Sequence, residues 1–248
     1  MHVLTRVPIM RMRWRHLLFV HWPVDARVLQ PLVPPALEID TFDGRAWVGL
    51  IPFTMEDVSP RLAPRFPLRG VTDFHECNVR TYVYPRGMKD DPAAHGVWFF
   101  SLDAASRLAV WGARRFYRLP YFDARMWLRR EGDVVDYSTA RINGVSGRAS
   151  LHCRWRALEA MPTSKPGELA HFLTERYCLY ALKRERGGAL SLQRGRIAHE
   201  PWPLRRAELL AMDDSLVRGA GIEIDGSIAP VLYHADALDV RAWGLERV

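Results

Sequence analysis

The sequence predicts a mainly β domain decorated by a few short helices, as a barrel or a sandwich. Three observations predict it. Strand-length runs that are either apolar or strictly alternating recur at short spacing; turns rich in Gly and Pro separate them; and helical periodicity is confined to a few segments. No segment repeats with a period of roughly 20 to 50 residues, which excludes a solenoid or a propeller. A chain of 248 residues is within reach of one hydrophobic core, so one domain over residues 1–248 is expected.

Taken in order, Leu17 to Trp22 is an apolar and aromatic run ending at Pro23, which suits a buried strand. Asp25 can cap a short helix through Leu32, which Pro34 and Pro35 stop. Ala46 to Phe53 reads as a strand after the Asp43-Gly44 turn, and Ser59 to Gly70, rich in Pro and Arg, as a loop. Phe74 to Tyr84 alternates: Phe74, Glu76, Asn78, Arg80 and Tyr82 share one face, and His75, Cys77, Val79, Thr81 and Val83 the other. Val97 to Leu102 is a further strand after a polar loop. Asp103 is a natural N-cap for a helix over Ala104 to Tyr117, ended by Pro120. Phe122 to Arg129 and Val134 to Ile142 form a hairpin about Glu131-Gly132-Asp133. Gly144 to Gly147 is a turn, and Ala149 to Ala157 a strand. Glu168 to Phe172 is a short helix, Arg176 to Leu182 a strand, and Gly187-Gly188 a turn into Leu190 to Ala198. Pro201 and Pro203 open a last amphipathic helix reaching Met212.

Composition narrows the function classes. Hydrophobic residues at 48% and charged residues at 25% match ordinary globular domains, and nine Trp supply rings of the kind that line cores and pockets. The net charge of +7 would suit a nucleic acid if it were clustered, but only Arg11/Arg13/Arg15 and Arg114/Arg115/Arg118 are dense, so no nucleic-acid partner is expected. No run is long enough to span a membrane, the apolar stretch His16 to Val20 is too short for a signal peptide, and no membrane partner is expected. Cys77, Cys153 and Cys178 are odd in number and far apart, which indicates neither a disulfide framework nor zinc, and a reducing cytoplasm is the default. Apolar edges leave a homo-oligomer open.

The chemistry-bearing candidates begin with Glu76, Asn78, Arg80 and Tyr82. Their strand face is either a solvated ladder or the wall of a polar cavity, and buried Glu and Arg would have to pair in a hydrogen-bonded network. Histidines show no metal-ligand spacing, so no metal is expected, and no glycine-rich phosphate loop implies a nucleotide cofactor. Asn143-Gly144-Val145-Ser146-Gly147 lacks the spacing of a nucleophile elbow, and Ser146 reads as turn chemistry. Arg176, Cys178 and Tyr180 share a strand face that either feeds a cavity or fills a core edge.

Several segments carry a family likeness. Phe19-Val20-His21-Trp22, Leu32-Val33-Pro34-Pro35-Ala36-Leu37-Glu38-Ile39-Asp40, Ala46-Trp47-Val48-Gly49-Leu50-Ile51-Pro52-Phe53, Phe74-His75-Glu76-Cys77-Asn78-Val79-Arg80-Thr81-Tyr82-Val83, Phe99-Phe100-Ser101-Leu102-Asp103-Ala104, Leu119-Pro120-Tyr121, Phe172-Leu173-Thr174-Glu175-Arg176-Tyr177 and Pro201-Trp202-Pro203-Leu204 closely resemble the bacterial DUF2071, or YqjF-like, family. That family is similar, more distantly, to acetoacetate decarboxylase, which implies a β-cone-like barrel enclosing a central cavity, with Glu76 facing inward. Gly112-Ala113-Arg114-Arg115 through Tyr121-Phe122 resembles the decarboxylase segment that delivers the Schiff-base lysine. Where the decarboxylases have Lys-Lys, this chain has Tyr121-Phe122, and neither phenol nor phenyl can form an iminium. The resemblance therefore implies no Schiff-base decarboxylation.

Two functions remain in view. One is an enzyme acting on a small carbonyl or carboxylate compound, with Glu76 as general acid or base, Arg80 as anion clamp and Tyr121 as proton donor. The other is a non-catalytic binding protein for a small metabolite. Either would draw its ligand contacts from His21, Trp22, Trp47, Asn78, Tyr82, Ser101, Arg114 and Trp202.

Overall fold

The structure is a computed structural model and describes residues 7–60, 72–142 and 149–248. The expected turn at Gly144 to Gly147, Ser146 within it, and most of the Ser59 to Gly70 loop lie outside those residues.

Among the described residues thirteen strands form one sheet. In chain order they are β1 (Met10–Val24), β2 (Leu37–Ile39), β3 (Ala46–Pro60), β4 (Phe74–Pro85), β5 (Gly96–Ala104), β6 (Tyr121–Glu131), β7 (Val134–Arg141), β8 (Ser150–Ala160), β9 (Cys178–Arg184), β10 (Leu190–Ala198), β11 (Arg205–Asp214), β12 (Val231–Ala242) and β13 (Glu246–Arg247). The short helices are α1 (Ala26–Leu29), α2 (Arg107–Gly112), α3 (Leu169–Thr174) and α4 (Leu216–Gly219). The β4–β5 pairing closes β5-β6-β7-β8-β11-β12-β1-β3-β4 into a barrel. Strands β9 and β10 bridge β5 back to β12, so β12, β1, β3, β4, β5, β9 and β10 trace a second circuit.

The five strands common to both circuits form a wall between two cores; β4, β5 and residues 17–22 of β1 and 46–55 of β3 carry no exposed residue, whereas Arg11, Asp236, Asp239 and Arg241 are exposed. This explains the near-continuous apolar runs, since Leu17 to Trp22 and Ala46 to Met55 have a core on either side and no face to spend on water. One face of the wall meets a core built on Phe19, Ile51, Phe53, Tyr82 and Leu102. The other meets a core built on Val20, Leu50, Val79, Tyr137 and Trp155. Strands β7 and β8 cover the second core, as β6 does through Met126 and Leu128 while its first residue, Tyr121, belongs to the first core, and β7 and β8 show the plain alternation of half-buried strands.

Backbone irregularities set which side chain faces which core. His16 sits at φ 53, and the register of β1 on β3 shifts nearby, so the cavity-side set runs Met12, Trp14, then Leu17 and Phe19. A bulge at Phe100 pairs Val79 with Ser101 but Arg80 with Phe99. Phe99 and Leu102 therefore face the first core, whereas Ser101 and Asp103 turn to the side of Val79 and Cys77.

Two helices expected from the sequence are corrected. Asp103 is not an N-cap: β5 runs on to Ala104, and the Asp103 carboxylate is buried against Arg141, whose Nε and Nη2 donate to Oδ1 at 3.0 and 2.7 Å. The helix starts later, with Ser106 Oγ accepting from the Ala109 amide, and after Gly112 it widens into a π turn over Ala113–Tyr117 that ends at Arg118 with φ 57. The segment after Pro203 is strand β11. Arg-Arg-Ala-Glu-Leu-Leu-Ala-Met favours helix, yet β8 and β12 each offer it an edge, and the gain is a ladder plus a cross-strand Arg156–Glu208 pair at 2.6 Å. Elsewhere the sequence is followed closely: Asp25 caps α1 by accepting from the Arg27 amide, and β6 and β7 form the expected hairpin.

Two outcomes test this packing. Asp103→Ala strands a buried guanidinium that cannot shed its proton, and it is expected to cost about 3–5 kcal/mol in urea unfolding, with Asp103→Ala/Arg141→Met recovering much of it. At Gly96 a Cβ would lie 2.5 Å from the Cys178 carbonyl oxygen, so Gly96→Ala is expected to lose about 1–3 kcal/mol by the same measurement.

Candidate functional site

Within the second circuit lies a cavity of about 680 Å³, walled by β1, β3, β4, β5, β9 and β10, with α2 and its π turn at the mouth. Strand β4 contributes its alternating inner face. Phe74, Glu76, Asn78 and Arg80 line the cavity, so the face left open by the sequence is the inward one. Most of the remaining lining is apolar, with Met12, Trp14, Phe53, Met55 and Phe99 among it.

Glu76 is the centre of the polar stripe. It is 2% exposed and meets no cation among the described residues; Tyr121 Oη donates to its Oε2 at 2.7 Å, and Asn78 adds a hydrogen bond. Burial pushes its pKa up to about 8, with the Tyr121 and Asn78 bonds opposing and Asp103 adding slightly to the rise. At neutral pH this carboxyl is mostly a neutral acid. Tyr121 remains a phenol, its pKa raised well above the usual value by burial and by the neighbouring Glu76. From behind, on the second-core side, Tyr137 Oη donates to the Glu76 main-chain oxygen at 2.8 Å and fixes the backbone there.

Arg80 does not pair with Glu76, contrary to the network expected of buried opposite charges. Its Nη2 donates to the Leu173 carbonyl at 3.2 Å, its guanidinium lies over the rings of Phe19 and Tyr82, and its Nε meets no partner among the described residues. No described carboxylate forms an ion pair with it. Asn78 Oδ1 is likewise buried without a partner among the described residues.

A layer behind the stripe orients it. Tyr82 Oη donates to Leu173 O at 2.7 Å and contacts His21 Nε2 at 2.6 Å, which assigns that ring proton to Nε2. Burial first, and Arg80 second, hold the His21 pKa well below the usual range, so the ring is neutral. Gly49 makes the room, since a Cβ there would come 2.9 Å from His21 Nε2.

The other sequence candidates are distributed. Trp202 lines the cavity, donates from Nε1 to Thr174 O at 2.8 Å and packs edge-on against Phe19. Trp47 belongs to the same core without lining the cavity, whereas Trp22 lies in the opposite core. Ser101 is turned away by the Phe100 bulge. Arg114 stays outside, and its Nε donates to the Tyr121 carbonyl at 2.7 Å, bracing that backbone. Arg176 lines the cavity but is bound to Asp40 at 2.7 Å, and Tyr180 fills the second core, donating to Ala94 O. Arg11 is exposed, while Arg13 and Arg15 of the basic N-terminal segment pair with Asp239 and Glu56.

Sequence reasoning missed His199, Thr174 and Tyr117, all in the lining. His199 Nδ1 donates to the Glu200 carbonyl at 2.7 Å, which leaves Nε2 bare, buried and unpartnered among the described residues. Its ring stacks on Tyr177 at 4.7 Å, and burial lowers its pKa. An isolated His-Glu pair in a loop carries no spacing signal. No cluster of three or more His, Cys, Asp or Glu among the described residues could hold a metal ion.

Known proteins place this geometry. Across 99% of this chain and 93% of its own, the enduracididine biosynthesis enzyme MppR complexed with pyruvate superposes with a TM-score of 0.70 at 12% identity. Acetoacetate decarboxylase from Legionella pneumophila superposes with a TM-score of 0.66 at 13% identity, covering 100% of this chain and 92% of its own. At such identities these likenesses establish the acetoacetate decarboxylase-like fold alone. The uncharacterized protein YqjF of Bacillus subtilis (strain 168) is 40% identical over 239 residues, 96% of this chain and 92% of YqjF. The family model DUF2071, described as an uncharacterized conserved protein, matches residues 11–239. The chain therefore belongs to the DUF2071 family.

Proposed function

We propose that the cavity binds a compound bearing a carbonyl or carboxylate group and that Glu76 exchanges a proton with it. The observation that carries this reading is a carboxyl buried in a largely apolar cavity, held neutral by desolvation and hydrogen-bonded by Tyr121. A neutral acid of this kind donates to a carbonyl oxygen, and a pKa near the working pH suits it to give up and recover the proton. Arg80 supplies positive charge to a ligand carboxylate, and the partnerless Asn78 Oδ1 accepts from a ligand hydroxyl or acid. Imine chemistry has no side-chain amine to start from, because Lys89, Lys165 and Lys183 all lie outside the lining. The pyruvate held by the MppR neighbour supports a carbonyl acid as the ligand class.

A second reading, binding without conversion, is favoured by the apolar lining, which offers few groups for chemistry beyond the β4 stripe. A thermal-shift screen of keto acids and lactones separates the two, since a binding protein is stabilised by a compound it leaves unchanged. If a compound is turned over, Glu76→Gln is expected to lower kcat about 100-fold or more. Unchanged turnover would remove Glu76 from the reaction.

The pH dependence of stability follows from the same group. The folded value of about 8 lies above the 4.5 of an unperturbed glutamic acid, so between these values the folded chain keeps a proton that the unfolded chain releases. The contribution of Glu76 to stability is full below pH 4.5 and declines as the pH rises toward 8, by up to about 1.4 kcal/mol per unit. Glu76→Gln cannot ionise. Its Tm relative to wild type is expected to rise steadily from pH 5 to pH 8 in calorimetry; a Tm difference that does not change with pH would contradict the neutral buried acid.

A further inference from the structure

We infer that the ligand is an amphipathic carboxylate whose apolar body carries on the order of eight carbons or more, rather than a three- or four-carbon acid. This rests on the reading of the cavity given above and adds the size and polarity of what fills it.

Volume is the first ground. At about 30 Å³ per water in the liquid, 680 Å³ corresponds to roughly twenty water molecules, several times the bulk of a pyruvate-sized acid. A ligand that small would leave Met12, Trp14, Phe53, Met55 and Phe99 facing empty space or water, and apolar walls give water too few partners to hold it. Polarity is the second ground. Strand β4 carries a polar stripe, Glu76, Asn78 and Arg80, and the other lining cations, Arg176 and Arg196, are paired with Asp40 and Glu246, whereas β1, β3 and β5 present hydrocarbon, rings and thioethers. A molecule matching this surface has a polar head and an apolar body. Charge is the third ground, because Arg80 pairs with no described carboxylate while Glu76 is neutral, which leaves the stripe with a net positive charge for an anionic head to meet.

The mouth continues the pattern. Leu108, Trp111 and Phe116, on α2 and its π turn, line the cavity and are nevertheless 58%, 60% and 63% exposed. These side chains are placed to cover the far end of a body that reaches from the β4 stripe to the surface, and burying both sides of that contact gains free energy in proportion to area.

The test is calorimetric titration of the full chain at pH 7 with saturated straight-chain carboxylates from C4 to C14, each below its micelle concentration, alongside pyruvate, acetoacetate and the matching methyl esters. Each buried methylene is expected to tighten Kd by up to about fourfold until the chain reaches the mouth, so C10 should bind at least a hundredfold more tightly than C4. Esters should bind at least tenfold more weakly than acids, and Arg80→Gln should reduce the acids to the level of the esters while leaving the esters unchanged. Equal affinities for pyruvate, C4 and C10 would overturn the inferred body while leaving the carbonyl or carboxylate reading intact. Esters as tight as acids would overturn the anionic head. No measurable binding by any compound of the series would overturn this inference and the proposed ligand class together.

Discussion

Residues 17–22 of β1 and 46–55 of β3, with β4 and β5 beside them, have no solvent side, and this double burial governs what each residue in them can be. A strand with water on one face can carry a polar residue at every second position at little cost. Along these stretches every position faces one interior or the other, so each polar side chain must find a partner, lose its charge or stand ready for a ligand. The wall is accordingly apolar almost throughout, and the departures from that rule mark its special points. Gly49 clears space for His21, and Tyr137 reaches through from the opposite interior to hold the main chain at Glu76.

Adjoining strands show how differently two buried acids are treated. Asp103, on β5, has a guanidinium of its own in Arg141, two hydrogen bonds and Phe122 stacked against that guanidinium at 3.8 Å. That pair is closed to other molecules and belongs to the architecture. Among the described residues, Glu76, on β4, has a phenol and an amide but no cation, and Arg80, four residues along on the same face, has carbonyl and ring contacts but no anion. Opposite charges that could have met on one strand face are kept apart. Packing alone gives no reason to carry both groups unpaired, because hydrophobic residues of similar volume would fill the same space at lower free energy.

The sequence made much of this legible through period-two alternation. Which residues share a face of β4, the β6–β7 hairpin and the short capped α1 follow from pattern and local capping chemistry, while the inward direction of that face came from the family resemblance. Three things did not. Phase changes within a strand, at His16 and at Phe100, leave no mark on hydrophobicity, so Ser101 looked like a neighbour of Phe99 when it faces the other way. Asp103 has the chemistry of an N-cap, and only Arg141, distant in the chain, reveals that it is committed elsewhere. Strand β11 has helix-forming residues overruled by two waiting edges, while β12, overlooked, alternates from Leu238 to Ala242 after a change of phase at Ala237. For the site, Glu76, Asn78, Arg80, Tyr121 and Trp202 were legible. Trp22 and Trp47 were not correctly placed, because tryptophan content says that interiors are rich in rings but not which interior.

A wall with two private faces also separates two kinds of change over evolutionary time. Along β4 the even-numbered residues from Phe74 to Tyr82 look toward the cavity, and the odd-numbered ones between them look toward the barrel's other interior. A lineage can rewrite the first set while the second goes on holding the strands together. Chains that share this fold can thus differ in what lines the cavity and still superpose, as this chain does on its fold neighbours at 12–13% identity.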